Sequence, residues 1–224
     1  MTYNIIRSKR KTVAIHITKE GQVEVRAPYK AKQKDINAFV LSKKGWIEKH
    51  LKRIEEAKES RVDFTLDYGK HLRLMGKTYP IVERLGDKIG FDGQCFYMPP
   101  GLSPSSIKEM VIGIYKQVAK GTLTHRTMAY ARETGLVPAT IKVNSAKTRW
   151  GSCSSKKSIN FSWRLIMADE EVVDYVIVHE LAHLKEMNHS PRFWALVEAI
   201  MSDYKKRQKR LKEFQKVIAH EDWG

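Results

Sequence analysis

Two histidines and a glutamate in Val178-His179-Glu180-Leu181-Ala182-His183, with His189 six residues further on, have the types and spacing best suited to chemistry. Residues four apart on a helix lie one turn above each other on the same face. The rings of His179 and His183 can therefore reach one metal ion without bending the backbone. Glu180 directly follows the first of them. A carboxylate there lies beside a metal, not on it, where it can take a proton from metal-bound water; this is the HExxH arrangement of zinc hydrolases. His189 supplies a third ligand. Three protein ligands leave one zinc position open, which marks a catalytic site and not a closed structural one. HExxH is a short pattern that also arises by chance on surface helices. Here, however, the helix is apolar before and between the ligands, from Val172 and Val173 through Val176, Ile177 and Val178 to Leu181. Burying two imidazoles and a carboxylate without partners is costly, and a metal removes that cost. The expected cofactor is one zinc ion per chain, held by His179, His183 and His189.

The separation of His183 and His189 matches the pattern H-E-x-x-H-x-x-G-x-x-H, but Glu186 stands where that pattern has glycine. Without the glycine's sharp left-handed turn, the helix is expected to run on to about Met187, with Asn188 as a left-handed cap. Ser190-Pro191 reads as the N-cap and first position of a further helix. His189 would then sit on a short elbow between two helices.

With Arg149-Trp150-Gly151-Ser152-Cys153 upstream and Asn188-His189-Ser190-Pro191-Arg192-Phe193-Trp194 downstream, this stretch resembles the YgjP-like metallopeptidase family, small bacterial zincins related to the SprT-like and WLM peptidases. The resemblance covers nearly the whole chain. It implies a zinc-dependent peptidase fold with His179, His183 and His189 as ligands, Glu180 as general base and polypeptide as substrate. It does not define which polypeptide.

The elements that must position these residues can be read from patterning. The 224-residue chain is 42% hydrophobic, enough for a real core. Up to about Pro28 it reads as a β-hairpin, with Val13, Ile15 and Ile17 alternating against Val23 and Val25 around the turn Lys19-Glu20-Gly21-Gln22. One helix is expected from about Lys32, weakened at Gly45, and a linker around Lys58 to Asp63. Glycine-punctuated runs from Leu66 to Met98 suggest a small antiparallel sheet. Pro99-Pro100-Gly101 is the expected boundary between an N-terminal β-rich region with a helix (1–100) and a zincin-like catalytic domain (101–224). A long helix should start at Ser103-Pro104 and end at a Gly135 cap, with His125 on its surface. Ile141 and Val143 mark one strand. Ile159, Phe161, Trp163 and Leu165 mark one face of another, with Asn160, Ser162 and Arg164 opposite. The fold class is α+β, with an antiparallel sheet preceding the metal helix, and the resemblance to peptidases of this class implies that an edge strand of that sheet binds extended substrate by main-chain pairing. Arg149, Trp150 and Arg164 are candidates to line the cleft, although Trp150 fits the core as well. Asp169 is placed to cap the metal helix and Asp203 a later one. Tyr175, Arg149 and Arg164 are the candidates to stabilise an oxyanion.

The net charge of +16 favours anionic partners, unless the cations only solvate helix faces. The densest basic patch is Lys205, Lys206, Arg207, Lys209, Arg210 and Lys212. Two rival readings arise from this charge: a metal-dependent nucleotide phosphohydrolase of the nucleoside triphosphate pyrophosphatase type, and a nucleic-acid-binding module with a structural zinc. Any nucleic-acid binding should be sequence-independent, since the tail lacks interleaved aromatics. Cys95 and Cys153 make no disulfide framework and suit a reducing compartment, and Cys153 reads as a small buried residue. No apolar run approaches the length of a membrane span, so no membrane partner is expected. Cytoplasm is the expected location.

Overall fold

The computed structural model describes residues 2–18, 20–59 and 64–224, with the side chains of 56–59 excepted. The chain divides into two compact units, Met1–Phe64 and Thr65–Gly224. In the first, β1 (Asn4–Ser8), β2 (Ala14–Ile17) and β3 (Val23–Pro28) form a sheet in the order β1-β3-β2. The hairpin expected from alternation is β2 against β3, with Ile15 opposite Val25. Strand β1, which alternation does not reveal, runs parallel to β3. Of the expected turn, Lys19 lies outside the described residues. The single helix expected from Lys32 is two helices, α1 (Gln33–Ser42) and α2 (Lys44–Glu59), because Lys43 leaves helical geometry at φ −106°, ψ 10°. Val23, Val25 and Ala27 of the central strand meet Ile36 and Val40 of α1 and Ile47 of α2 in the core. The segment read as a linker falls partly on the end of α2, and residues 60–63 lie outside the described residues.

The second unit begins with β4 (His71–Leu74), β5 (Lys77–Glu83), β6 (Gly90–Phe91) and β7 (Phe96–Met98), in the order β4-β5-β7-β6. This sheet is mixed, not antiparallel, since β5 and β7 run parallel. The β6–β7 hairpin folds back at Gly93, where φ is +96°, and its second strand is the one that lies beside β5. The sheet is tied to the chain beyond Pro99-Pro100-Gly101. The Tyr68 hydroxyl donates to the Pro99 carbonyl at that break, and the Tyr115 hydroxyl, beyond it, donates to the Arg73 carbonyl at 2.6 Å. The compact units therefore divide near residue 64 and not at the proline pair.

Tyr115 lies on α3 (Pro104–Thr134), one continuous helix. The Ser103 hydroxyl accepts from the Ser106 N–H, and Gly135 closes the helix at φ +72°, both as its sequence indicates. Then come β8 (Thr140–Asn144), β9 (Gly151–Cys153) and β10 (Ser158–Ser162), in the order β8-β10-β9. The tight β9–β10 turn makes that pair antiparallel, while β8 lies on the far side of β10 and runs parallel to it. This sheet too is mixed. The strand read from Ile159 to Leu165 stops at Ser162, and Trp163–Met167 form a buried 3₁₀ turn.

The last three helices are α4 (Glu170–Ala182), α5 (Pro191–Ile200) and α6 (Tyr204–Ile218). α4 packs against α3, α5, α6 and β9, which explains why its apolar residues run round the helix and not along one stripe. Asp169 and Asp203 occupy the N-cap positions of α4 and α6, but neither side chain caps. Both carboxylates face arginines instead: Asp169 meets Arg210 at 3.3 Å and Asp203 meets Arg207 at 2.9 Å. Arg126 of α3 grips Asp174 of α4 through two bonds of 2.8 Å.

The C-terminus is locked into the same unit. Tyr115 stacks on Trp163 at 5.6 Å, and Trp223 meets both rings edge-on at 5.5 and 5.9 Å. Trp223→Ala should leave a cavity there and destabilise the second unit by about 3–5 kcal/mol. Denaturant titration would register this as a lowered midpoint; an unchanged midpoint would show that the ring contributes no packing.

Candidate metal centre

α4 ends sooner than expected. Its last residue is Ala182, and His183 comes next as the cap with φ −64°, ψ −16°. No left-handed Asn188 occurs. Instead the chain tightens, with Leu184 N–H donating to Leu181 and Lys185 and Glu186 N–H both donating to Ala182. This early ending turns the Glu186 carbonyl back toward His183, whose Nδ1–H donates to it at 3.0 Å. That bond fixes the tautomer and leaves the His183 Nε2 lone pair free, the usual way a backbone carbonyl orients a ligating imidazole. The elbow then hands over to α5 as its sequence indicates, with the Ser190 hydroxyl accepting from the Phe193 N–H at 3.3 Å and Pro191 opening the helix.

The elbow brings His189 to the other two histidines. Donor atoms of His179, His183 and His189 lie within 4.8 Å of one another. Nε2 of His179 and Nε2 of His189 face each other at 3.0 Å. Tetrahedral zinc with Zn–N of about 2.0–2.1 Å would hold two such nitrogens about 3.3 Å apart. Burial, then the His183 and His189 charges, lowers the His179 pKa to about 3, and burial lowers that of His183. The set is therefore three imidazoles converging on one point, two of them pushed toward the neutral form by burial, as suits a metal of the zinc type. Its residues fit such an ion.

Phe193 forms the floor. Its ring stacks on His183 at 4.5 Å and meets His179 and His189 edge-on at 4.9 and 4.8 Å. Trp194 stacks on His189 at 5.7 Å and on Tyr204 of α6 at 5.5 Å. In the sequence Phe193 stands within the Asn188-to-Trp194 motif that carries the resemblance, without a role of its own. Its spacing from His189, one helical turn, was the available signal.

Glu180 is 5% exposed. Burial raises its pKa to about 8, and among the described residues its Oε2 has no hydrogen-bond partner. Its side chain lies against β9 at Gly151. A Cβ on Gly151 would stand 2.6 Å from Glu180 Cγ and Oε1, so the glycine supplies the space the carboxylate occupies. No pattern of local periodicity reveals this role, because it depends on the packing of β9 on α4. Cys153 shares that face of β9. Burial, with the Glu180 charge adding to it, pushes the Cys153 thiol up, the behaviour of an inert cysteine.

The other candidates scatter. Arg164 is buried in the 3₁₀ turn, stacked over Trp163 at 4.6 Å and donating to the carbonyls of Ser145, Trp223 and Gly224. It clamps the C-terminus and does not line a cleft, because the strand that would have turned it outward ends two residues earlier. Trp150 is half-buried against Phe214 of α6 at 5.2 Å, and Arg149 is exposed just before β9. Tyr175 meets His179 edge-on at 5.9 Å, its hydroxyl bonded to Gln208 and its pKa raised by burial. His125 is exposed on α3. In the basic patch, Arg207 and Arg210 are engaged by Asp203, Asp169 and Glu171, while Lys205, Lys206, Lys209 and Lys212 are exposed.

A profile of the YgjP-like metallopeptidase domain matches residues 11–214. The chain belongs to the YgjP-like metallopeptidase family. As a member it is a metal-dependent peptidase, a hydrolase whose substrate is polypeptide, and the family's catalytic metal has a fitting donor set in the three histidines. Two solved structures are also similar. One is the metallopeptidase zymogen abylysin of Pyrococcus abyssi, 23% identical over 42% of this chain and 95% of that one, with a TM-score of 0.39. The other is the metallopeptidase zymogen jannalysin of Methanocaldococcus jannaschii, 24% identical over 43% of this chain and 97% of that one, with a TM-score of 0.37. No curated protein matches the chain. Among the described residues, no helix is long and apolar enough to cross a membrane.

Gly151→Ala should force the Glu180 side chain aside and destabilise the protein by about 1–3 kcal/mol, as overpacking does. Glu180→Asp, one methylene shorter, should recover part of that loss when combined with it. A double-mutant cycle by denaturant titration tests this coupling, and strictly additive effects would show that the two residues do not compete for space.

Proposed function

We propose that this chain is a zinc-dependent metallopeptidase of zincin-like core, in which His179, His183 and His189 hold the metal and Glu180 is the general base. The observation that carries the reading is the convergence of three imidazoles next to a buried carboxylate oxygen with no partner among the described residues. When bound, zinc would polarise the scissile carbonyl and make water a nucleophile at neutral pH. The rest falls to the chain's own residues. Glu180 Oε2 is the atom for the proton of the attacking water, and its raised proton affinity suits it to hold that proton and pass it to the leaving amine. The Glu186 carbonyl holds His183 in the tautomer that offers Nε2. Phe193 packs against all three rings from below.

Strand β9 pairs with β10 alone among the described residues, and Glu180 lies against it at Gly151. Its open edge is the proposed place for an extended substrate, bound by main-chain pairing. Arg149 and Trp150, which lead into β9, are the side chains placed to meet flanking substrate residues.

The charge-based rivals draw no support from the geometry. Among the described residues the histidine cluster contains no carboxylate ligand, whereas phosphoryl-transfer metal sites rely on carboxylates. Arg164 is turned to the C-terminus, and two arginines of the α6 patch are engaged internally.

His183→Ala should lose most of the zinc measured by elemental analysis. Glu180→Gln should retain zinc and fold, yet cleave unfolded polypeptide about 10²–10⁴-fold more slowly. Nucleoside triphosphates run in parallel should not be hydrolysed. Full zinc retention in His183→Ala would overturn the ligand assignment, and wild-type turnover by zinc-loaded Glu180→Gln would remove Glu180 from catalysis.

A further inference from the structure

The opposite edge of the same sheet carries a groove separate from the metal centre. Strand β8 pairs with β10 on one side, and among the described residues no strand covers its other side. The five consecutive residues from Ile141 to Ser145 all line a cavity of about 520 Å³. Consecutive strand residues point to opposite faces. The four from Ile141 to Asn144 belong to β8, and a cavity that touches all four tracks the open backbone edge and not one face of the sheet.

The facing wall is α3. It contributes Lys116, Lys120 and Thr124, whose spacing of four places them in one stripe. The stripe is about 12 Å long at 1.5 Å per residue, and the four lining residues of β8 span about 13 Å. α3 packs against β8, so the groove runs along the strand edge beside the lysine stripe and suits an extended segment of about four residues. An open strand edge is where peptides bind by strand addition.

Charge specifies the occupant further. Lys116, Lys120 and Lys142 are exposed, and none has an ion-pair partner among the described residues. Lysines on an edge strand can serve merely to deter aggregation, but two of these three stand on the helix, where they guard no strand. A nucleic-acid strand would have no use for the half-buried Ile141 and Val143 on the floor, and no aromatic ring lines the groove for base stacking. We infer that this groove binds an extended acidic segment of polypeptide by strand addition to β8, with the carboxylates meeting Lys116, Lys120 and Lys142. The site is independent of the metal reading. In a peptidase it would favour acidic, unfolded chains by holding them at one edge of the sheet whose other edge lies by Glu180.

The probe is a fluorescent ten-residue peptide of alternating glutamate and valine, titrated by anisotropy into the full-length Glu180→Gln protein, with peptide integrity checked by mass. Saturable binding is expected. The triple change Lys116→Glu, Lys120→Glu, Lys142→Glu should weaken it at least tenfold. The same charge change at Lys205, Lys206 and Lys209 should alter it less than twofold. The same peptide N-methylated at alternate residues keeps its charge but loses main-chain donors, and should also bind at least tenfold more weakly. This last comparison uses unaltered groove residues, so it decides the matter even where the triple variant fails to fold. No binding, equal loss in the two triple variants, or undiminished binding of the N-methylated peptide would overturn the inference. A single-stranded oligoribonucleotide of equal charge that binds more tightly, and is lost with the groove lysines, would overturn it in favour of nucleic acid.

Discussion

The second unit depends on one constraint: a carboxylate and two imidazoles must leave water on a helix that is otherwise apolar. Removing an ionisable group from water is expensive unless it is neutral or partnered. Burial accordingly drives Glu180 toward its protonated form and His179 toward its neutral form. Each neighbouring element answers part of that demand. The turn after α4 gives His183 a carbonyl, the elbow delivers His189, α5 delivers Phe193 beneath the rings, and β9 opens a glycine-sized space for Glu180. The converging nitrogens suit a metal, and one Glu180 carboxylate oxygen, without a partner among the described residues, suits a proton.

The charge of the chain divides by residue type. Arginines hold the frame around α4: Arg126 ties α3 to Asp174, Arg210 ties α6 to Asp169 and Glu171, and Arg164 holds the terminal carbonyls. A planar guanidinium suits such sites because it makes several directed bonds at once. The Arg126–Asp174 pair is the most sheltered of these ion pairs and so counts for more than exposed pairs, which contribute about 0–1 kcal/mol. The lysines of the α6 patch stay on the surface. Each arginine ion pair removes a cation and an anion together, so the pairing leaves the net charge of +16 unchanged.

The small sheet of β8, β10 and β9 links the two proposed binding edges. One edge is set by the need to bring β9 against Glu180, the other by the groove along β8 beside the lysines of α3. Both leave main-chain donors and acceptors open, and an edge left open on a natural sheet calls for an explanation. Polypeptide, the substrate of the family, is the ligand whose own main chain complements such an edge.

Much of the site was legible in the sequence because it is local. The i, i+4 spacing of His179 and His183, the adjacent Glu180 and the Ser190-Pro191 start of α5 are written within a dozen or so residues, where helix geometry alone dictates which groups share a face. The Ser103 start and Gly135 end of α3 were legible for the same reason. Pairing between distant strands was not. β1 beside β3, β5 beside β7 and β8 beside β10 are all parallel, and period-two alternation marks a strand without naming its neighbour or direction. The fate of Arg164 was hidden too, since a buried 3₁₀ turn and a strand share the same apolar content. Gly151 stood in view as a residue but not as a function. Only tertiary packing could decide its role, because the absence of a side chain has meaning only once another chain segment fills the space it leaves.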